Sequence, residues 1–406
     1  MVSEVIGMLL QFRVKNYRSI GDEITIDLTA GNGRELSTSL IEKNKVTILP
    51  VISLYGSNAS GKSNIIDAML DMFANIIESH RYDEKHGLLT TPFLYDTNLR
   101  NTPTEFEMFF TIEKHEYQYG FTCTPDRIHE EWLYKKLLSV NDTILHTIFE
   151  RSGDRIEFST KYKYFDKLID LVGEKNLALS FLAHQKNTKA KIFRDIYNWS
   201  GNVFFTSVSW HDDELCAEIY KKNEHLKNAF LDFIHDFDPL LEDIDIVDEV
   251  NKDGETKYRI KVMHSNNWYP LDIESAGTKK LFDIFIAIYA SLETNGQSVF
   301  ICDELDALLH PLILRRIVNM FHDKEVNKMG SQLIFTTHNT IVLDRHELRR
   351  DEIWFVEKNS KGFTTAYSLD SFKTTDKQMR ADMSYGKHYL AGRFGAVPYA
   401  SPKGDI

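Results

Sequence analysis

Hydrophobic and polar positions change rhythm several times along the chain, and each rhythm predicts a different element. Leu10, Phe12 and Val14 alternate with polar residues, a turn falls at Ser19-Ile20-Gly21-Asp22, and Ile24, Ile26 and Leu28 alternate again. Period-two spacing turns one face of each run to a core, so residues 10–28 predict a hairpin. Residues 29–46 are largely polar and predict a loop. Val51–Tyr55 is a short continuous apolar run, the pattern of a strand covered on both faces. Ile65, Ile66, Met69, Leu70, Phe73, Ile76 and Ile77 then recur at three-to-four spacing, marking one face of a helix that fades near Ser79-His80-Arg81.

Period two returns beyond Phe106. Residues 106–112, 117–123 and 144–149 predict antiparallel strands, with Thr124-Pro125-Asp126 as a turn. Residues 161–240 read as helical, on Phe165, Leu168, Ile169 and Val172 and again on Leu226, Phe230, Phe233 and Ile234. Lys186, Lys189, Lys191 and Arg194 gather there and read as a solvated helix face, contact with nucleic acid or a partner being the alternative. Residues 244–250 and 258–262 predict a hairpin around Lys252-Asp253-Gly254, residues 281–292 an apolar helix, and residues 298–302 and 333–336 two further buried strands. The expected class is α/β, in three parts: residues 1–160, a helical lobe over 161–240, and residues 241–406.

Composition narrows the class further. Of 406 residues, 42% are hydrophobic and 27% charged, as in a globular protein, and no apolar run approaches the ~20 residues that span a bilayer. Residues 1–10 lack a basic start and a small-residue cleavage site, so no signal peptide is expected. Cys123, Cys216 and Cys302 form neither a C-x-x-C pair nor a metal-ligand spacing, which fits a reducing cytoplasm. The net charge of −12 argues against a uniformly nucleic-acid-coating surface, while a local basic groove stays open.

Candidate chemistry lies where predicted strands end. After Val51–Tyr55 comes Gly56-Ser57-Asn58-Ala59-Ser60-Gly61-Lys62-Ser63-Asn64, which fits G-x-x-x-x-G-K-[ST] between a strand and a helix. Backbone N–H groups and the helix dipole there converge on a polyphosphate, Lys62 adds a charge, and the Ser63 hydroxyl suits Mg²⁺. Residues 298–302 run into Asp303-Glu304, a metal-holding carboxylate and a general base for water. Residues 333–336 run into Thr337-His338, a candidate γ-phosphate sensor, and Ser275 and Gly277 stand at a helix start.

Taken in order, phosphate loop, Ser-x-Gly, Asp303-Glu304, Leu305-Asp306 and His338 resemble ATP-binding-cassette ATPases, and within them the SMC/RecF-like heads. Asn16-Tyr17-Arg18-Ser19 and Asn64 resemble that subgroup's N-terminal segment and post-loop asparagine. Glu274-Ser275-Ala276-Gly277-Thr278, Leu309-His310-Pro311 and Tyr389-Leu390-Ala391-Gly392-Arg393-Phe394-Gly395 are similar to the compact AAA-type ATPases of bacterial phage-defence operons, PARIS-type ATPase subunits among them. The resemblance covers roughly residues 10–135 and 255–400. It implies an ABC/SMC-head-like fold with a mixed sheet, an antiparallel β subdomain and an inserted helical lobe. It also implies ATP and Mg²⁺ as cofactors, Arg18 and Asp306 in the nucleotide site, and a homodimer or higher oligomer in which Ser275 and Gly277 reach the partner's ATP. The expected role is an ATPase sensor or scaffold controlling a nuclease-type effector from the same operon, with a phage protein as trigger. The signature departs from transporter cassettes at Ala276 and Thr278, and no Q-loop glutamine is placed. Three rivals are weighed: a RecF-like repair ATPase, an OLD-like ATPase fused to its own nuclease, and a non-hydrolysing binding module. The roughly 210 residues between Lys62 and Ser275 leave no room for a long coiled coil, the ~65 residues after His338 leave none for an added nuclease domain, and Glu304 argues for hydrolysis.

Overall fold

The computed structural model describes residues 7–43, 45–138, 144–206, 213–250, 256–293, 297–372 and 384–398. The N-terminal hairpin forms as β1 (Gly7–Lys15) and β2 (Ile24–Asp27), and the polar stretch after it contains a short ribbon, β3 (Ile41–Lys43) with β4 (Val46–Ile48). Then come β5 (Val51–Tyr55) and the 17-residue α1 (Lys62–Glu78). The antiparallel region holds β6 (Thr104–Ile112), β7 (His115–Thr124), β8 (Arg127–Leu137), β9 (His146–Ser152) and β10 (Arg155–Phe158). The middle segment gives α2 (Ala178–Ala183), α3 (Lys191–Ser200), β11 (Val203–Thr206), α4 (Asp213–Lys222) and α5 (Glu224–Ile234). The remainder is β12 (Asp243–Val250), β13 (Thr256–His264), β14 (Asn267–Pro270), α6 (Ala276–Glu293), β15 (Val299–Cys302), α7 (Pro311–His322), β16 (Gln332–Thr337), β17 (Ile353–Lys358), β18 (Thr364–Ser368) and α8 (Tyr385–Leu390). The turn expected at Lys252-Asp253-Gly254 lies outside the described residues.

Two sheets organise the chain. The first is seven-stranded and antiparallel, in the order β10-β9-β8-β7-β6-β1-β2. The second is mixed: β11, β15, β16, β5 and β17 run parallel and β18 closes the edge antiparallel. Strand pleating splits the parallel strands between two cores. Ile52, Leu54, Ile301, Ile334 and Val356 face the core shared with α1, α2, α3 and the antiparallel sheet. Val51, Tyr55, Phe300, Phe335 and Phe355 face the core built with α4 to α8. Buried Gln332 joins the two sheets, accepting from Leu9 N at 2.9 Å and donating to Leu9 O at 2.9 Å.

Residues 161–240 are mostly helical, yet the expected single lobe needs amending. Val203–Thr206 in its midst is an edge strand of the parallel sheet. The helices before it pack in one core and those after it in the other. The strand β8 went unread because its apolar positions are interrupted by Glu131. That carboxylate is fully buried, accepting from Ala178 N (2.7 Å), Leu179 N (3.0 Å) and Tyr119 Oη (2.9 Å).

The Tyr389–Gly395 stretch has a packing role. Tyr389 stacks on Phe355 at 5.4 Å and meets Tyr55 edge-on at 5.8 Å, and Phe394 stacks on Phe355 at 5.4 Å. Gly395 takes φ +70°, and a Cβ there stands 2.5 Å from the Tyr367 hydroxyl, so the chain closes this tightly only with glycine. Among the described residues no helix is long and apolar enough to cross a membrane.

Candidate functional site

β5 lies between β16 and β17, parallel to both, so three strands open their carboxyl ends on one edge. The loop of residues 56–63 leaves β5 at that edge. A Cβ on Gly56 meets the Val356 carbonyl at 2.3 Å; Gly61 sits at φ +108°, where a Cβ meets Thr364 Oγ1 at 2.0 Å. Both positions therefore require glycine. α1 begins at Lys62, which aims its unsatisfied first-turn N–H groups into the loop. Lys62 Nζ donates to Gly56 O (2.9 Å) and Ser57 O (3.1 Å) and lies 3.2 Å from His338 Nε2. Burial draws the Lys62 ammonium below the usual lysine range, against the pull of Asp303, Glu304 and Asp306.

The acid pair is set by a neighbouring strand. Thr336 Oγ1 on β16 donates to Asp303 Oδ1 at 2.6 Å and accepts from Glu304 N at 2.7 Å. Glu304 takes φ +52°, and Leu305 N closes the turn on Thr336 O at 3.1 Å. His338 follows two residues after Thr336. Loss of hydration holds its imidazole below the ordinary histidine range and the Lys62 ammonium adds to this, so the ring is neutral at pH 7 and Nε2 can accept from Lys62. Asn58 to Asn64, Glu304, His338 and Lys358 together line a cleft of about 340 Å³. Asp306 faces the same group electrostatically, acting on Lys62 and His338.

The other expected site residues do not line this cleft. Arg18, at φ +45°, pairs with Asp67 on α1 and lies 5.3 Å over the Tyr17 ring; it is not among the residues lining the phosphate cleft. Its neighbour Ser19 joins the loop instead. Asn64 Nδ2 donates to Ser19 Oγ (2.5 Å), Ser19 meets Thr364 Oγ1 (2.7 Å), and Thr364 donates to Ser60 O (3.0 Å). Ser275 and Gly277 line a second cleft, of about 500 Å³, with Leu308, His310 and Asp236; the two clefts share no lining residue. Ser275 Oγ caps α6 by accepting from Thr278 N at 3.1 Å. A Cβ on Gly277 meets Leu308 O at 2.6 Å, so glycine there lets α6 approach the turn after the acid pair.

The residues suit ATP and Mg²⁺. The Ser63 hydroxyl and Asp303 carboxylate are hard oxygen donors of the kind Mg²⁺ takes. The Ser60 hydroxyl is buried in the loop without a hydrogen-bond partner among the described residues, an orphan for which a phosphate oxygen is a natural partner. Thr336, Ser19, Thr364 and Lys358 were not singled out from sequence. Thr336 was signalled by the hydroxyl pair before His338, and Ser19 by the Asn16-Tyr17-Arg18-Ser19 segment. Nothing local marks Thr364 or Lys358.

Comparison with known families settles the class. A family model described as "AAA domain, putative AbiEii toxin, Type IV TA system" matches residues 51–344. The chain belongs to that family. Its α/β P-loop ATPase fold is accordingly that of an AAA-type domain. Among solved structures, it is similar to the SMC head domain from Thermotoga maritima, at 17% identity and TM-score 0.42, covering 89% of this chain and 98% of that one. It is similar also to an SMC head bound to the C-winged helix domain of ScpA (15% identity, TM-score 0.42, 89% and 97% coverage). A third is an SMC head with an extended coiled coil bound to the C-terminal domain of ScpA derived from Pyrococcus furiosus (14%, 0.38, 89% and 96%). No curated protein matches the chain.

Proposed function

We propose that the chain is a cytoplasmic ATP-hydrolysing switch of anti-phage defence that controls a separately encoded nuclease effector. One observation carries the ATPase part: Lys62, Glu304 and His338 line a single cleft with the phosphate loop, at the carboxyl edge of a parallel sheet. The family's description as a putative toxin of a type IV toxin–antitoxin system supports the defence part.

In this reading Lys62 exchanges its loop carbonyl acceptors for phosphate oxygens. Ser63 and Asp303 hold Mg²⁺, which when bound offsets charge on the β- and γ-phosphates. Glu304 accepts the proton of the attacking water, and His338 faces the γ-phosphate oxygens. Ser275 and Gly277, in their separate cleft, contact the nucleotide of a second copy, which makes the active unit a head-to-tail homodimer.

The self-contained nuclease reading would draw on acids around Asp243 and after His338, and several of these already have partners. Asp243 pairs with Lys227 (3.3 Å), Glu242 accepts from Ser265 N and Asn266 N (2.9 and 3.1 Å), and Glu347 pairs with Arg315 (2.7 Å). Asp351 holds Arg349 (2.7 Å), and Glu357 accepts from Ala396 N (2.9 Å).

Glu304→Gln tests the chemistry. ATP stays bound while turnover falls roughly 10²–10⁴-fold, the range for a lost general base; wild-type turnover in this variant overturns the assignment. Purified chain should leave DNA and tRNA intact with Mg²⁺ or Mn²⁺, and a nuclease from the neighbouring gene should co-purify with it. Cleavage by the isolated chain that survives Glu304→Gln assigns the nuclease to this chain instead.

A further inference from the structure

One end of the antiparallel sheet holds a second concentration of charge, opposite in sign to the chain as a whole. β7, β8 and β9 and the 3-10 run Thr160–Leu171 enclose a cleft of about 570 Å³ there. Three of its ten lining residues are lysines, Lys135, Lys136 and Lys161, two are histidines, His115 and His146, and none is acidic, in a chain of net charge −12 with histidine neutral. Lys136 is paired with Glu116 at 2.8 Å. Lys135 donates only to a neutral partner, the Tyr162 hydroxyl, at 3.0 Å. Among the described residues neither Lys135 nor Lys161 has a carboxylate within ion-pair distance. His115 senses the same field: lost hydration pulls its imidazole below the ordinary range, and the ammonium groups of Lys135, Lys114 and Lys161 push the same way against Glu113.

The 3-10 run carries Lys161, Lys163 and Lys167 past the cleft, with Asp166 and Asp170 also on it. Tyr164 is 39% exposed, with Lys167 Nζ 4.5 Å and Lys189 Nζ 4.3 Å from its ring centroid. The lysine cluster read from sequence as a solvated helix face thus reaches, through Lys189, an exposed aromatic ring. Among the described residues neither ammonium has a carboxylate within ion-pair distance, so the ring holds two like charges that an anion would offset. Unpaired lysines beside an exposed ring make the combination that grips a phosphodiester chain and stacks its bases. The lysines extend from the cleft to the ring, beyond what a lone phosphate needs, and an exposed ring can stack only a base that is not already paired and stacked within a duplex.

We propose that this end of the antiparallel sheet binds single-stranded nucleic acid, with the backbone phosphates at Lys135 and Lys161 and a base stacked on Tyr164. The site uses no residue of the ATP cleft, so the inference stands or falls apart from the ATPase reading. The test is fluorescence anisotropy of a labelled 15-nucleotide oligo-dT with the whole chain, at several salt concentrations. Binding is expected to weaken with salt, by a log–log slope of about −0.7 per neutralised phosphate. Lys161→Glu/Lys167→Glu should weaken it at least tenfold, and Tyr164→Ala roughly 5- to 150-fold, the range for losing a stacked base. Both sets of positions are exposed, and thermal unfolding like that of the unmodified chain verifies their fold. Undiminished binding by these variants, displacement of the oligonucleotide by excess ATP, tighter binding of a duplex of equal length, or no binding at all each overturns the proposal.

Discussion

Thr336 shows how much a single hydroxyl can settle. It donates to Asp303 and accepts from Glu304 N, so one side chain on β16 fixes the turn that carries both acids. Thr336→Val keeps the shape and leaves the Glu304 N–H without its acceptor. The expected cost is about 1–3 kcal/mol of stability, read as a lowered denaturation midpoint, with turnover falling more than ATP affinity. Lys62→Ala removes a charge-assisted contact worth about 1.5–3 kcal/mol, so calorimetry should find ATP bound roughly 10- to 150-fold more weakly. Unchanged affinity in a folded Lys62→Ala variant removes the phosphate-loop assignment. His338 gives a pH signature. Its imidazole is held below the ordinary histidine range by lost hydration and by Lys62, so it takes its proton under more acid conditions than a free imidazole does. His338→Asn should change the acid limb of the ATPase profile and leave its neutral limb in shape. Residues 56–64 were legible because their partners lie within a few positions of one another. Thr364 and Lys358 were not, because the loop they serve lies far away along the chain, 304 residues from Thr364 to Ser60.

At the scale of elements, two junctions carry consequences. Where α1 ends, His80 stacks on His184 of the α2 end at 3.6 Å, and Arg81 Nε donates to His80 Nε2 at 3.1 Å. Ser180 Oγ is 3.3 Å from His80 Nδ1, Tyr197 meets the ring edge-on, and Glu78 pairs with Arg81. Burial first, then His184 and Arg81, lower the His80 pKa. The unfolded chain therefore takes up this proton before the folded one does. Its contribution is fully present above pH 6.5 and is lost as pH falls through the lower folded value. His80→Gln should flatten that part of the melting-temperature profile; an unaltered slope removes His80 as its source. The second junction is Gly277 against Leu308 O. Gly277→Ala should lower stability even in isolated monomers, so Ser275 is the better position for testing contact with a second copy. Long periodic elements such as β6, α1 and α6 were legible. β11 was hidden because four residues inside a helical stretch carry too little pattern, and β8 because Glu131 occupies an inward position.

For the whole molecule, the decisive geometry is that the phosphate cleft and the Ser275 cleft share no lining residue. Two defects placed in different chains can then be sorted by assembly. Lys62→Ala and Ser275→Arg chains should each be nearly inactive alone. Mixed, in the head-to-tail arrangement proposed above, they should form dimers with one intact pairing and regain part of the hydrolysis. No recovery where native mass spectrometry detects mixed dimers counts against the head-to-tail arrangement. The order of the two sheets was beyond reach from sequence, since nothing local records that β5 inserts between β16 and β17.

That insertion has a consequence for how the protein is made. The strand that launches the phosphate loop is among the early parts of the chain, and both of its parallel neighbours are among the late ones. At synthesis rates of about 5–20 residues per second, on the order of 15–60 s separates the two. Throughout that interval the nascent β5 has open edges, and Tyr55 lacks the Phe355 and Tyr389 rings that later cover it. A growing chain therefore cannot complete the carboxyl edge of the parallel sheet until β16 and β17 have both emerged. Tyr55 gains its full aromatic cover only once both Phe355 and Tyr389 have been made.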